Sequence, residues 1–220
     1  CTHSDTEVLV NTLQQYGEKA LDKLRGMFGF AVWNEKEQTL MLARDFFGIK
    51  PVYYAEIDGH FVFASEIKSI LAFPGYERKV NQKALEQYLS FQYAPLEETF
   101  FKGIYKLMPG HMLLYKNGNY EIKTYFKTKL TPGKWNRTTN MDQLRSQLAE
   151  ILKDSVKHHM LSDVEVGAFL SGGVDSGYLA SASGADQAFT VGFDEGDRYS
   201  EVNKAAKVAE KAGLKHHVKI

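Results

Sequence analysis

The chain has 220 residues, of which 44% are apolar and 25% are charged, a composition typical of a globular protein with one large or two modest domains. Lys plus Arg and Asp plus Glu number 27 each, so the net charge is zero, which argues against a nucleic-acid-binding surface. No apolar run approaches the ~18 residues that a membrane-spanning helix needs. A single cysteine excludes an internal disulfide and fits a reducing compartment, so we expect a cytoplasmic protein with no membrane or nucleic-acid partner.

Residues 1–126 combine a helix start with a series of short strand patterns. Ser4 followed three residues later by Glu7 predicts the beginning of a helix that Gly17 ends. Apolar runs predict strands at 26–33, 39–43, 52–55, 61–64, 112–115 and 121–126, with short helices at 66–71 and 81–89. Asn117-Gly118-Asn119 is a strong hairpin signal between the last two strands. Strands that follow one another in runs predict a mostly antiparallel α+β domain.

The composition changes at residues 127–140, which hold Pro132-Gly133 and almost nothing apolar, and we interpret this segment as a linker. A helical period then begins at 141 with Asn140 as its cap. It is followed by a strand at 164–170, a helix to about 183, a strand at 188–193, a helix at 200–212 and a strand at 215–220. This order predicts an α/β domain at 141–220 with a doubly wound parallel sheet.

The most informative segment is Ser171-Gly172-Gly173-Val174-Asp175-Ser176, between the first strand and the next helix of that domain. A strand, a glycine turn and a helix start together favour phosphate binding, because free amides and the helix dipole attract an anion. Ser171 and Ser176 can add hydroxyl donors. Asp175 cannot attract phosphate, so it indicates a bound magnesium ion or a cap on the helix. A glycine turn without any ligand is the alternative.

The loop resembles the pyrophosphate-binding Ser-Gly-Gly-x-Asp-Ser loop of the ATP pyrophosphatase superfamily. Together with the ordered segments 4–7, 44–54, 64–71 and 109–111, it makes the chain similar to the glutamine-hydrolysing asparagine synthetase family from residue 4 to residue 217. In that family an N-terminal-nucleophile glutaminase domain releases ammonia from glutamine. A second domain converts ATP and aspartate to β-aspartyl-AMP, which ammonia turns into asparagine. The resemblance implies that residues 1–126 are the C-terminal part of a type 2 glutamine amidotransferase domain. Residues 141–220 would be the N-terminal part of an ATP-pyrophosphatase domain.

The resemblance also implies two sets of site residues and two cofactors, ATP and Mg²⁺. Asp5 matches the family aspartate that binds the α-amino group of glutamine, a suitable partner for a carboxylate, and an acidic residue of a helix first turn is the alternative. The implied ATP-binding residues are Phe169, Leu170, Ser171, Gly172, Gly173, Asp175, Ser176 and Val191. For Phe169 and Val191, packing in the core is an alternative of equal weight. Asp175 is the implied magnesium ligand, and the implied substrates are ATP, aspartate and glutamine.

Several other residues attract a functional interpretation. Cys1 could be an N-terminal nucleophile, but the family's intervening segments are missing before Ser4, so we assign no catalytic residue. Arg44 and Asp45 could form a catalytic pair, but an ion pair that fixes a loop is the favoured interpretation. Thr190, in the strand at 188–193, remains without an assigned role.

Both ends of the sequence look like cuts, so we expect part of a longer protein that is inactive by itself and can form a homodimer. Two other functions stay open. One is a related ligase with another acceptor acid that does not use glutamine, similar to the β-lactam-forming relatives. The other is a nucleotide-binding module without catalysis.

Overall fold

The computed structural model describes residues 4–129, 140–194 and 200–220. The chain divides into two compact units, Cys1–Leu130 and Thr131–Ile220. None of the helices in the described ranges is long and apolar enough to cross a membrane. Cys1 and most of the predicted linker 127–140 lie outside the described residues, so both interpretations stay predictions.

The first unit begins with helix α1 (Asp5–Tyr16), whose N-cap Ser4 accepts a hydrogen bond from the Thr6 amide at 3.2 Å, as the sequence predicts. A 3-10 helix (Gly17–Lys23), which the sequence did not predict, follows directly. The remaining elements of this unit are β1 (Gly29–Asn34), β2 (Thr39–Arg44), β3 (Tyr53–Ile57), β4 (His60–Ala64), α2 (Ile67–Leu71), α3 (Gln82–Phe91), β5 (Ile104–Lys106), β6 (His111–Lys116) and β7 (Asn119–Thr124). Strand β5 was missed because its three residues are too few to show alternation.

Two antiparallel sheets form from these strands, in the orders β1-β2-β6-β7 and β4-β3-β5, which confirms the prediction of antiparallel pairing. Asn117 and Gly118 join β6 to β7 with φ angles of 51° and 77°, as a two-residue type I′ hairpin requires. Leu42 and Leu113 of the four-stranded sheet pack on Tyr54 of the three-stranded sheet. The two sheets therefore lie face to face around a common core.

The outer face of each sheet is covered by a helical segment. Because side chains alternate across a strand, Ala43 points away from its neighbour Leu42 and packs with Leu21 of the 3-10 helix. On the other side, Ile57 of β3 packs with Ile70 of α2. The unit is thus built of two sheets enclosed between helical segments.

The loop after β2 is held by Arg44. Its guanidinium donates hydrogen bonds to the backbone carbonyls of Gly48, Lys50 and Leu107 at 2.6, 2.8 and 2.7 Å, respectively. Burial lowers the pKa of the guanidinium, yet an arginine side chain stays charged at neutral pH. Arg44 therefore joins the loop after β2 to the backbone at Leu107 through charge-assisted bonds.

Asp45 holds the amides of the same loop. Its carboxylate is almost fully buried and accepts hydrogen bonds from the backbone amides of Phe47, Ile49 and Lys50 at 3.2, 3.0 and 2.9 Å. Burial raises the pKa of this carboxyl, but the bonds from those amides outweigh burial and leave the pKa below its usual range. The predicted ion pair with Arg44 is wrong, because the two side chains instead bond the carbonyls and the amides of the backbone.

This arrangement predicts an acid-sensitive contribution of Asp45 to stability. A carboxylate whose pKa is lowered on folding stabilises fully above its unfolded-state pKa of about 4, and that stability is lost as the pH falls through the lower folded-state value. We expect Asp45→Asn to reduce the free energy of unfolding at pH 7 by about 2 kcal/mol, since an amide NH₂ would face a backbone donor. The difference from wild type should shrink between pH 5 and pH 2 in urea titrations followed by circular dichroism.

A matched control is Asp22→Asn, because Asp22 is an exposed carboxylate of the 3-10 helix in the same unit. Its free energy of unfolding should stay within about 0.5 kcal/mol of wild type at each pH. An Asp45→Asn variant with an unchanged pH dependence would contradict the assigned role.

The second unit contains α4 (Met141–His159), β8 (Ala168–Phe169), α5 (Val174–Ser183), β9 (Gln187–Val191), α6 (Val202–Ala212) and β10 (Lys215–Lys219). Asn140 caps α4 as predicted, its Oδ1 accepting from the amides of Asp142 and Gln143 at 3.0 and 3.2 Å. The three strands form a parallel sheet in the order β10-β9-β8, which confirms the predicted parallel arrangement. Its core is made largely of alanines, which allow a close approach of helix to sheet: Leu170, Ala180, Ala188, Ala205 and Ala209.

The predicted strand at 164–170 is wrong in extent. Only Ala168 and Phe169 pair with β9, and Leu170 adds one hydrogen bond from its amide to the Phe189 carbonyl at 2.9 Å. Strand β8 lies at the edge of the sheet within the described ranges, so it finds a partner on one side alone. Val164 is accordingly 76% exposed.

Candidate functional site

The turn between β8 and α5 depends on Gly172. Its φ of 77° lies in the left-handed region that favours glycine. A Cβ at this position would stand 2.7 Å from the Cβ of Lys204 and 2.8 Å from the amide nitrogen of Ala205, at the start of α6. Because the second of these contacts is with a backbone atom, a side chain at position 172 would force α6 to shift. The turn therefore lies directly against α6.

Two serine hydroxyls tie the turn to the first turn of α5. The oxygens of Ser171 and Ser176 lie 2.9 Å apart, and the Ser176 hydroxyl also accepts from the Ser171 amide at 3.2 Å. The Gly173 amide donates to the Ser171 hydroxyl at 3.4 Å. These bonds hold the glycine turn in one shape, so its amides keep a constant direction.

Several of those amides have no acceptor. Within the described ranges, no protein group accepts a hydrogen bond from the amides of Gly172, Val174, Asp175 or Ser176, and no side chain caps α5. The N-terminus of a helix carries a partial positive charge from its dipole. The turn is therefore an anion-binding arrangement that the protein's own groups leave open.

A cavity of about 360 Å³ adjoins the turn at the carboxyl ends of β8 and β9. Its lining consists of Phe169, Leu170, Ser171, Ser176, Phe189, Thr190, Val191, Phe193 and Glu201. The cavity thus brings together most of the residues that the resemblance implies for ATP, while the rest of that set lies on the adjoining turn. Open parallel sheets bind ligands at this edge.

Exposure separates two interpretations of the strand-end residues. Phe169 and Val191 are 84% and 61% exposed, so packing in the core, the alternative for both, is wrong. Leu170, by contrast, is buried at 2% exposure and contributes to the hydrophobic core of the sheet. Its contribution to the edge of the cavity is therefore mainly its backbone.

Sequence reasoning missed two polar residues of this cavity. Thr190 is buried, with its hydroxyl 2.6 Å from the Leu170 carbonyl oxygen and 2.7 Å from the Nε2 atom of His216. A threonine within an apolar strand was the available signal for it. Glu201 lies at the N-cap of α6 but makes no capping bond with its side chain. No local pattern indicates that Glu201 reaches the cavity, because its position depends on how α6 packs.

Asp5 lies in a different place, on a cavity of about 470 Å³ in the first unit. This cavity is lined by Asp5, Thr6, Leu9, Leu24, Arg25, Gly26, Met27, Phe28, Gly29, Phe30, Lys50, Pro51 and Ser65. The exposed Asp5 carboxylate accepts long hydrogen bonds of 3.4 Å from the hydroxyls of Ser4 and Thr6. It stands in the first turn of α1, so a contact with a bound ammonium and a favourable helix-dipole interaction are both open to it.

Two features of the described ranges limit other assignments. A larger cavity of about 810 Å³, lined by α1 and the four-stranded sheet, contains none of the predicted site residues. Among the described side chains, no group of three or more His, Cys, Asp or Glu is placed to hold a metal ion. The turn at 171–176 with its cavity, and the cavity beside Asp5, are therefore the two candidate sites.

Comparison with known proteins agrees with this arrangement. Residues 1–126 match the family model described as a glutamine amidotransferase domain, and residues 147–220 match that described as asparagine synthase. The first match covers more than half of the chain, so the chain belongs to the glutamine amidotransferase domain family. The resemblance to asparagine synthetases that the sequence motifs indicate is confirmed.

Among individual proteins, the chain is similar to asparagine synthetase [glutamine-hydrolyzing] 1 of Bacillus subtilis, with 40% identity over 100% of the chain and 34% of that protein. It is 30% identical to amidase chry2 of Gibberella zeae over 98% of the chain and 34% of that protein. A solved B. subtilis glutamine phosphoribosylpyrophosphate amidotransferase, complexed with ADP and GMP, aligns with 99% of this chain and 39% of its own at 18% identity. Its TM-score of 0.40 is too low to bear on the fold. The chain spans about a third of the length of the curated relatives.

The geometry of the turn predicts different tolerances at its two glycines. We expect Gly172→Ala to lower the free energy of unfolding by at least about 2 kcal/mol, because it combines a strained φ with a clash against α6. Gly173→Ala is the control, since Gly173 has a φ of −76° and a Cβ there would meet only the hydroxyls of Ser171 and Ser176, at 3.4 and 4.0 Å. Urea unfolding should show a loss of about 1 kcal/mol or less for Gly173→Ala. Equal losses for both variants would contradict this account.

Proposed function

We propose that the full-length protein containing this chain is an ATP-dependent amide-forming ligase that converts aspartate to asparagine through β-aspartyl-AMP, using ammonia from glutamine. The observation that carries the proposal is the turn at 171–176, where four amides lack an acceptor among the described residues and lie beside a strand-edge cavity. That turn follows a glutamine amidotransferase domain and lies in a segment matching asparagine synthase. The two matches occur in the order that the resemblance to asparagine synthetases implies.

In this proposal, the turn at 171–176 and the ends of β8 and β9 contact different parts of ATP. The amides of Gly172, Val174 and Ser176 would donate to the phosphates of ATP, with the hydroxyls of Ser171 and Ser176 at the same place. Backbone groups at the ends of β8 and β9 would contact the base in the cavity. Preorganised amides and the helix dipole would supply the positive potential that stabilises a bound phosphate there.

Asp175 fits a magnesium ion that accompanies the nucleotide. Magnesium is commonly bound by one or two carboxylates together with substrate phosphates and water. The Asp175 side chain is exposed in the first turn of α5, and no described group bonds its carboxylate. When bound, the ion would reduce the negative charge of the phosphates. Asp175 would hold it beside the amides that bind those phosphates.

Asp5 would bind the α-ammonium group of glutamine at the cavity of the first unit. A carboxylate that keeps only long bonds to neighbouring hydroxyls can turn toward a cationic ligand. The glutamine-independent ligase is not favoured, because residues 1–126 match a glutamine amidotransferase domain. A binding module without catalysis makes the same nucleotide contacts, so turnover by the full-length protein distinguishes it.

The nucleotide site predicts that Asp175→Asn weakens magnesium-dependent ATP binding while the fold is retained. Losing a charge-assisted contact with the ion should reduce the affinity for ATP in the presence of Mg²⁺ by about tenfold or more. Without Mg²⁺, binding of ATP should be unchanged or slightly improved, since a negative charge is removed. Isothermal calorimetry of the full-length protein with and without Mg²⁺ measures both.

Asp186→Asn is the matched control, because Asp186 is an exposed carboxylate immediately before β9, at the opposite end of that strand from the cavity. It should bind ATP like the wild type under both conditions. If Asp175→Asn also binds MgATP like the wild type, the magnesium assignment fails. If the wild type does not bind ATP at all, the nucleotide site itself fails.

The glutamine site predicts a selective effect of Asp5→Ala on the full-length enzyme. The KM for glutamine should rise tenfold or more, because a charge-assisted contact of about 1.5–3 kcal/mol is lost, while synthesis from free ammonia should stay nearly unchanged. Steady-state assays with each nitrogen source measure the two effects, with the exposed Asp22→Ala as a control. Equal losses with glutamine and with ammonia would mean that Asp5 is structural.

A further inference from the structure

Thr190 is a buried polar residue whose hydroxyl makes two short hydrogen bonds. It is 5% exposed and lies in β9 between the more exposed Phe189 and Val191. Its Oγ1 donates to the carbonyl oxygen of Leu170 at 2.6 Å and lies 2.7 Å from His216 Nε2. Because a hydroxyl has one proton and the Leu170 carbonyl takes it, the Nε2 atom must carry a proton and donate. Two hydrogen bonds therefore run in sequence, from His216 Nε2 to the Thr190 hydroxyl and from that hydroxyl to the Leu170 carbonyl oxygen.

The hydrogen bond from the Thr190 hydroxyl lies where the parallel ladder between β8 and β9 would otherwise continue. The Leu170 amide donates to the Phe189 carbonyl at 2.9 Å, so a continued ladder would place the Val191 amide on the Leu170 carbonyl. No such bond occurs among the described residues, and the carbonyl is bonded by the Thr190 hydroxyl instead. The Val191 amide is thereby left without an acceptor within the described ranges.

The direction of that amide follows from the strand geometry. Backbone groups of alternate residues point to the same neighbouring strand, and Gly192 donates to Lys219 of β10 at 2.8 Å. Val191 must then face the side of β8, like Phe189 two residues earlier. Strand β8 ends at Phe169, so the Val191 amide faces the cavity beyond that end.

We infer that Thr190 and His216 are positioning residues that occupy the Leu170 carbonyl and so keep the Val191 amide available as a donor to the base of the bound nucleotide. The inference rests on the proposed ATP site. A free backbone donor at this point can bond adenine, whose N1 is an acceptor. It disfavours guanine, because the N1 of guanine carries a proton and two donors would face each other. Sites that hydrogen-bond a ligand group discriminate strongly against a ligand in which that group is mismatched.

Thr190→Val tests this role because valine has the shape of threonine without the hydroxyl. The Leu170 carbonyl is then free to accept from the Val191 amide, which completes the ladder and removes the donor from the cavity. We expect the affinity of the full-length protein for MgATP to fall by about threefold to tenfold, the effect of one hydrogen bond. Affinity for inorganic pyrophosphate should not change, because the turn at 171–176 is untouched. The preference for ATP over GTP should decrease.

Two conservative variants separate positioning from folding. Thr190→Ser keeps the hydroxyl and should bind ATP like the wild type. His216→Gln keeps an N–H donor for Thr190 and should also retain ATP affinity, whereas His216→Phe should show the ATP-specific loss. These comparisons do not depend on the valine variant, and circular dichroism establishes that each variant is folded.

Calorimetric titrations with MgATP, GTP and pyrophosphate show whether Thr190 affects binding of the base alone. A loss of ATP affinity in Thr190→Val with unchanged pyrophosphate affinity supports the inference. Equal losses for ATP and pyrophosphate, or no loss for either, overturn it and leave the proposed function intact. Wild-type protein that binds neither ligand overturns the proposed nucleotide site, and with it this role of Thr190.

Discussion

Backbone amides and carbonyls beyond the end of a strand no longer have the partners of the sheet and need other hydrogen bonds. Both units are organised around this need. In the first unit the need is met within the protein. Arg44 bonds two carbonyls of the loop after β2 and the carbonyl of Leu107 after β5, and Asp45 bonds three amides of the loop after β2. Two charged side chains therefore fix the shape of this loop from within the protein.

In the second unit the same need is left partly unmet at one place. The turn after β8 keeps its shape through the hydroxyls of Ser171 and Ser176, but four of its amides find no acceptor among the described residues: Gly172, Val174, Asp175 and Ser176. At the neighbouring strand, the Thr190 hydroxyl takes a carbonyl that the ladder would use. Donors without an acceptor in the described ranges therefore lie together at one edge of the sheet, and this is the physical basis of the proposed nucleotide site.

The short β8 strand links the packing of the sheet to the chemistry of the site. Pairing with β9 ends at Phe169, and the exposed side chains of Phe169 and Val191 lie beside the cavity at that end of the ladder. Small side chains such as Ala188 and Ala205 let α6 approach closely. That approach is tight enough that only glycine fits at position 172. The turn, the cavity and the helix are therefore parts of one packed arrangement, and a change in any of them alters the others.

The sequence by itself determined the features that depend on neighbouring residues. The helix caps Ser4 and Asn140, the Asn117-Gly118 hairpin, the parallel βαβαβ order and the glycine turn at 171–176 were all predictable, because their interactions span only a few positions. The motif order also indicated the family. The tertiary structure alone decided the length of β8, the partners of Asp45 and the link from Thr190 to His216, 26 residues apart in sequence. These features depend on which backbone groups meet after the elements pack, and no local pattern of residues contains that information.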